Sequence, residues 1–433
     1  SIIKMHRRKK LMKSISEKPS ESSVYIWNIT ASIANAGLSV LILAIATRML
    51  NNNNTDIFSI AWSISQLMAT VGTYQIRTYQ ATDVEENFKF SQYVIFRIIT
   101  VGIMMIASVV YIGVKRYDAY KGMIVLILCL FRAVDAIADV YEGWFQQKER
   151  LDLAGKACTY RVLFALVGFG ISLIITRNML IACIILVMSY IVCFVLYDIR
   201  YCRVVPELKE NRINGKNVRW VIKLALEGFP LFFNAFLMMS ISNAPKMALD
   251  TAIANNQIQV GIQTVFNILF MPASFLTLAY IVFRPLLTKM AIYWNNNKIQ
   301  KFLKIVFLIV GCLLGTAVVL LVGCAILGIP VLSILYAIDL KDYKMELLII
   351  VAGGCFCTFS YVFDNALVVI RRQYMLVLSY IISWIYIKLT VTMYVDKYGM
   401  LGAAIAYATC MLVFLIVTVV IFSVFVRKDG KKK

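Results

Sequence analysis

Apolar runs of about 20 residues recur along this chain, each bounded by short polar stretches, which is the pattern of helices that cross a bilayer. Twelve spans follow: 24–49, 56–76, 93–113, 120–145, 157–176, 179–198, 219–245, 257–283, 303–328, 346–370, 374–394 and 399–426. Connections are short except 77–92, 199–218 and 284–302. The stretch 199–218 is the most polar of them and splits the spans six and six. The predicted organisation is a cytoplasmic basic tail 1–23, an N-terminal lobe 24–198, a cytoplasmic linker 199–218, a C-terminal lobe 219–426 and a second basic tail 427–433. Pro230 and Pro245 fall in the seventh span and Pro272 in the eighth, while the first six spans contain none. Proline removes a helix hydrogen bond, so the C-terminal half is expected to be the one that bends.

The fourth span breaks the apolar pattern. Residues 128–147, LCLFRAVDAIADVYEGWFQQ, carry Arg132, Asp135, Asp139 and Glu142. At 3.6 residues per turn these fall, with Gln146, within roughly 80° of one helix face. An ionisable group at mid-bilayer costs about 2.5–3.5 kcal/mol on insertion scales, so four aligned ones must face a bundle interior or a water-filled cavity.

Composition agrees with a polytopic membrane protein. Of 433 residues 61% are hydrophobic, and mean hydropathy is +0.78. The net charge of +21 does not point to nucleic acid, because Lys and Arg gather in alternate loops and at both ends. Arg200, Arg203, Lys209, Arg212 and Lys216 crowd the linker, and Arg427, Lys428 and Lys431 to Lys433 the C-terminus. That bias places both termini and the long loops in the cytoplasm. The ten cysteines stand singly without metal spacing, and His6 is the sole histidine. No P-loop motif occurs. The first span is too long for a signal-peptide core and is expected to be retained.

Depth sorts the intramembrane charges. Arg97 in the third span and Arg161 in the fifth lie one to two turns from the cytoplasmic face, level with Asp135, Asp139 and Glu142, so pairs such as Arg97–Asp139 and Arg161–Glu142 are expected. Arg132 is deeper, near mid-membrane, and Lys388 in the eleventh span lies in the outer half. Arg48 and Lys246 stand near the outer ends of spans one and seven, where snorkelling also accounts for them. Glu227 and Asp364, the latter beside Asn365, add carboxylates in the C-terminal half, and Asn28, Thr30, Ser32 and Asn35 make a polar strip on the first span. Buried cations suit an anionic cargo, since guanidinium grips phosphate oxygens in pairs. The carboxylates suit either structural ion pairs or a coupling Na+ or H+; no other cofactor is expected.

The halves echo one another. Asn35-Ala36 before Thr47-Arg48-Met49 parallels Asn234-Ala235 before Pro245-Lys246-Met247, and Tyr74-Gln75-Ile76-Arg77 parallels Tyr280 to Arg284. A parallel repeat about an axis along the membrane normal accounts for this. Trp27-Asn28-Ile29, Ala46-Thr47-Arg48-Met49-Leu50, the run Ile76 to Val84, Phe88-x-Phe90-x-x-Tyr93 and Arg97-Ile98-Ile99-Thr100 together resemble the polysaccharide-transporter, Wzx-like branch of the multidrug/oligosaccharidyl-lipid/polysaccharide flippase superfamily, especially Gram-positive teichoic-acid and polysaccharide flippases. Asp135-x-x-x-Asp139-x-x-Glu142-Gly143-x-x-Gln146 is similar to that family's fourth helix. Gly228-Phe229-Pro230 and Asn243-x-Pro245-Lys246 are similar to its seventh, although the family often carries arginine at the position of Lys246.

The resemblance implies an all-α, twelve-helix, two-lobed fold that works as a monomer. Its expected activity is moving a polyprenyl-diphosphate-linked oligosaccharide or teichoic-acid precursor between leaflets by alternating access, the tail remaining in lipid. On that reading Arg132, Lys388, Arg97, Arg161, Arg48, Asn28, Asn35 and Lys246 are the candidate substrate contacts. Asp135, Asp139, Glu142, Asp364 and Glu227 are the candidates for coupling-ion or structural pairs. The alternative is a cation-coupled small-molecule antiporter using the carboxylates of span four or ten. An enzyme acting on lipid-linked sugars is disfavoured by short outer loops without histidine.

Overall fold

The computed structural model describes residues 19–83, 86–208, 219–280 and 283–430. Most of the basic N-terminal tail, linker residues 209–218 with Lys209, Arg212 and Lys216, and Lys431 to Lys433 lie outside the described residues.

Within them the chain is helix after helix with no strand. In order these are α1 (Glu21–Met49), α2 (Asn52–Thr73), α3 (Ile76–Thr82), α4 (Phe90–Lys115), α5 (Ala119–Gln147), α6 (Leu151–Thr176), α7 (Met179–Cys193) and α8 (Arg200–Val204). There follow α9 (Arg219–Ala254), α10 (Ile262–Phe270), α11 (Phe275–Tyr280), α12 (Arg284–Asn295), α13 (Ile299–Gly323), α14 (Ile329–Tyr336), α15 (Lys344–Val369) and α16 (Leu376–Gly430). Polar residues set the starts. Ser20, Asn51, Asp118 and Asn178 each cap a helix by accepting a backbone N–H with the side chain, which satisfies a donor the helix leaves open.

Nine helical stretches among the described residues are long and apolar enough to cross a membrane. The stretch Leu376–Lys428 counts once among them but covers the two expected spans 374–394 and 399–426, separated at Gly399, whose φ of 60° and ψ of −132° interrupt the helix. The expected spans 56–76 and 120–145 correspond to α2, rich in Asn, Ser and Thr, and to α5 with its row of charges; neither is among the nine. The remaining expected spans all have counterparts. Rows of exposed apolar side chains, such as Ile98, Ile103, Ile106 and Val110 on α4 or Phe164, Val167, Ile171 and Ile174 on α6, are what a lipid-facing surface requires. The protein is a polytopic all-α membrane protein.

Local geometry departs from expectation in three places. The second span ends at Thr73, where Tyr74 and Gln75 adopt consecutive left-handed conformations and redirect the chain into the short α3. Asp83 then fixes the end of α3 by accepting from the backbone N–H of Asn87 and Phe88 and from the Tyr93 hydroxyl. Pro230 and Pro245 lie within one continuous α9, whereas Pro272 sits in a 3-10 turn, Met271–Ser274, between α10 and α11. Wide π turns follow α7 (Phe194–Ile199) and α13 (Cys324–Gly328).

Two compact units divide at Phe236/Leu237, inside α9. The predicted lobes, 24–198 and 219–426 on either side of 199–218, placed the division before α9. The structure instead assigns its first half to the N-terminal unit, because Leu224 completes a buried cluster with Ile76, Phe88, Tyr93, Phe96 and Val140. Tyr74 reinforces the docking, stacking on Phe232 at 4.6 Å and donating its hydroxyl to the Ala225 carbonyl at 3.1 Å. In the first unit α5 is central, packed against α2, α3, α4, α6 and α7; in the second α15 is central, packed against α10, α11, α12, α13 and α16.

Candidate functional site

The charged face of α5 meets arginines delivered by three other helices. Arg77, aimed by the left-handed turn before α3, places Nη1 3.0 Å from Asp139 Oδ1 and 2.9 Å from Glu142 Oε2. Arg97 on α4 donates from Nη2 to the other oxygen of Asp139 at 3.0 Å and from Nη1 to the Gly72 carbonyl at 3.1 Å. Arg161 on α6 reaches Glu142 Oε1 at 2.5 Å, Asp198 Oδ2 at 3.1 Å and Asp135 Oδ1 at 3.7 Å. Asp139 and Glu142 therefore each bridge two guanidinium groups, one per carboxylate oxygen. Such bridging offsets the desolvation of buried charges, which isolated pairs often fail to do. Arg97–Asp139 and Arg161–Glu142 are the two pairings that depth had suggested.

The cluster has a closed back and an open front. Arg97, Arg161, Glu142 and Asp198 are almost wholly buried. The side chains of Asp135, Arg77 and Asp139 keep 37%, 32% and 23% exposure. Charges exposed to this extent at this depth are too costly to face hydrocarbon, so the front is not a lipid-facing surface. Cys158 lies within electrostatic reach of Glu142, Arg161, Asp135 and Arg77. Asn35 on α1 donates to its sulfur at 3.0 Å, which brings the exposed strip of Asn28, Ser32 and Asn35 beside the cluster.

Arg132 stands one turn deeper and differs from its neighbours. Its guanidinium carbon lies 4.6 Å from the centre of the Trp62 ring on α2. Among the described residues it makes no ion pair, and its Nε is buried without a hydrogen-bond partner. Trp62 is itself held in place by stacking on Phe131. A guanidinium resting on an indole face is oriented yet keeps its donors uncommitted to carboxylate.

The other candidates lie elsewhere. Glu227, in the first unit, accepts from the Tyr79 hydroxyl and sits 3.9 Å from Lys223 one turn before it. In the second unit Asp364 is buried on α15 and accepts from the Tyr380 hydroxyl at 3.1 Å, its other oxygen having no hydrogen-bond partner. Neighbouring Asn365 donates to the Tyr280 hydroxyl. Lys388 is exposed on α16, 5.9 Å from the Trp384 ring, and Trp384 in turn donates to Ser240 at 3.0 Å. Lys246 is buried over the Phe270 ring at 4.4 Å, so snorkelling does not describe it. Arg48 is exposed at the last turn of α1. Within the first unit the structure gathers Arg97, Arg161, Arg132, Asp135, Asp139 and Glu142 and leaves Glu227 and Arg48 outside that network; Lys246, Lys388 and Asp364 belong to the second unit.

Three participants went unrecognised in the sequence: Arg77, Asp198 and Trp62. Asp198 closes the sixth span at the depth of Arg161, so the same depth comparison reaches it. Arg77 reads as a loop residue unless the turn at Tyr74 and Gln75 is known. Trp62 is one aromatic among many.

No family model matches the chain. It is similar to the capsular polysaccharide biosynthesis protein CapF of Staphylococcus aureus, 24% identical over 393 residues that cover 89% of this chain and 95% of that protein. Among solved structures it is similar to the inward-facing conformation of a multidrug resistance MATE family transporter of the MOP superfamily, with a TM-score of 0.63 at 12% identity over 98% of both chains. It is also similar to the lipid II flippase MurJ in an inward closed conformation, with a TM-score of 0.65 at 14% identity over 92% of this chain and 87% of that one. The fold is the MOP type.

Proposed function

We propose that this protein is a flippase that carries a polyprenyl-diphosphate-linked oligosaccharide or teichoic-acid precursor from the inner to the outer leaflet of a bacterial plasma membrane by alternating access. Both termini face the cytoplasm. The observation that carries the reading is Arg132: a guanidinium near mid-membrane, oriented by Trp62, with no carboxylate bound to it. It offers the paired donors that a diphosphate takes. The names of CapF and of the MurJ structure support a polysaccharide-related, lipid-linked cargo.

The bridged cluster on α5 supports the reading in a second way. Arg97, Arg161, Asp139 and Glu142 neutralise one another, so they form a fixed wall, while Asp135, Arg77 and Arg132 supply its polar front. A cation-coupled antiporter of small molecules is the second reading. It is favoured by Asp364, a buried carboxylate with no cation partner among the described residues.

One experiment separates the two. Arg132→Ala, at unchanged protein abundance, should cut appearance of the lipid-linked glycan on the outer leaflet at least about tenfold, since a lost charge-assisted hydrogen bond is worth about 1.5–3 kcal/mol. Arg132→Lys should recover only part, because it keeps the charge but not the fork. Full export by the alanine variant, with changed drug susceptibility when Asp364 becomes Asn, would give preference to the antiporter.

A further inference from the structure

The second unit buries polar groups between α9 and α10 that the cluster on α5 does not use. Asn243, Lys246 and Asp250 fall within roughly 60° of one face of α9, and Gln263, Asn267 and Phe270 within roughly 60° of one face of α10. The Lys246 ammonium lies 4.4 Å from the centre of the Phe270 ring, so the two faces meet. Each of the five polar side chains is at most 9% exposed. Gln263 is 1% exposed, and neither its Nε2 nor its Oε1 has a hydrogen-bond partner. Asn243, also 1% exposed, spends its Nδ2 on the Met239 carbonyl and leaves Oδ1 without one. Asp250 and Asn267 make contacts of their own. Lys246 makes no ion pair among the described residues.

Buried amides in folded proteins are almost always bonded. One with both ends open, aligned with a second open carbonyl and a cation that lacks a carboxylate, belongs to a surface that meets something polar. The amides match sugar hydroxyls, Gln263 able to give and to accept and Asn243 to accept through Oδ1, and the ammonium sets the sign of the remaining charge. We infer that the face shared by Asn243, Lys246 and Gln263 is a binding chamber, opening to the outer side of the membrane, for a hydroxyl-rich anionic group: the glycan end of the cargo. The identity of that occupant rests on the flippase reading; the chamber does not.

The test introduces Gln263→Cys into the full chain and measures its rate of modification in intact cells by membrane-impermeant methanethiosulfonates, one anionic (sulfonatoethyl) and one cationic (trimethylammonium-ethyl). Rates are divided by those for a simple thiol in solution. The wild-type chain with its ten cysteines sets the background, and Leu249→Cys, buried on another side of α9, is the control. Asn243→Cys serves as the second reporter should Gln263→Cys fold poorly.

Reaction above background is expected with either reporter. The anionic reagent should be favoured about fivefold by the local cation, and Lys246→Gln should bring the ratio to about one. No reaction at either position, or a ratio that ignores Lys246, overturns the chamber. In cells blocked at the first glycosyltransfer onto the lipid carrier, modification should speed up about twofold or more as the chamber empties. An unchanged rate there overturns the glycan as occupant while leaving the chamber, and the flippase reading itself stands or falls separately on Arg132.

Discussion

Arg161 binds Glu142 and Asp198 at hydrogen-bond distance and has Asp135 at 3.7 Å, at 2% exposure. Removing it strands the buried Asp198 and leaves Glu142 with Arg77 alone, and breaking a buried pair costs about 3–5 kcal/mol. Arg161→Met is therefore expected to lower the melting temperature in detergent and the abundance in membranes, whereas Arg132→Ala, which strands no ion pair, should leave both nearly unchanged. A melting curve for each variant checks the contrast, and equal losses would erase the distinction between wall and contact. Much of this site is legible residue by residue: hydropathy fixes depth to within a turn, and depth alone matches Arg97 with Asp139 and Arg161 with Glu142. Arg77 is illegible because its direction depends on two left-handed residues, Tyr74 and Gln75, neither of them the glycine that usually marks such a turn. The openness of Arg132 is illegible too, since it depends on which aromatic ring faces the guanidinium.

At the scale of elements, α5 is the helix that periodicity describes best: one polar stripe, with the rest of its circumference apolar and packed on five neighbours. Proline is a poorer guide. Pro230 and Pro245 sit within a continuous helix, while Pro272 occupies a 3-10 turn. The π turns after α7 and α13 have no signal in hydropathy at all, because they change hydrogen-bond register without changing polarity. The break between the last two spans rests on Gly399, whose φ of 60° and ψ of −132° lie where a Cβ is strongly disfavoured. Gly399→Ala should destabilise the protein by about 1–3 kcal/mol, seen as a lower melting temperature with the location of the helix ends unchanged. An unaltered melt would mean that the connection relaxes freely.

For the molecule as a whole, most of the expected spans follow from hydrophobic run length, α2 and α5 being too polar to be found that way, and the proposed orientation follows from where Lys and Arg collect. Asp339, exposed in the loop after α14, and Asn296, exposed after α12, should then lie on opposite sides of the membrane. A membrane-impermeant maleimide should modify Asp339→Cys in intact cells and Asn296→Cys only after permeabilisation; the reverse pattern would invert the topology. The boundary between the units was the least legible feature, because a polar linker marks where the chain is loose and says nothing of which side the following helix packs against. Leu224 shows where the physics differs from the punctuation: it lies beyond the linker yet fills the cluster of Ile76, Phe88 and Val140. During synthesis the N-terminal unit therefore cannot finish folding when its sixth span leaves the ribosome. It must wait, with an apolar face uncovered, for the first half of α9, so maturation of one unit is timed by translation of the next.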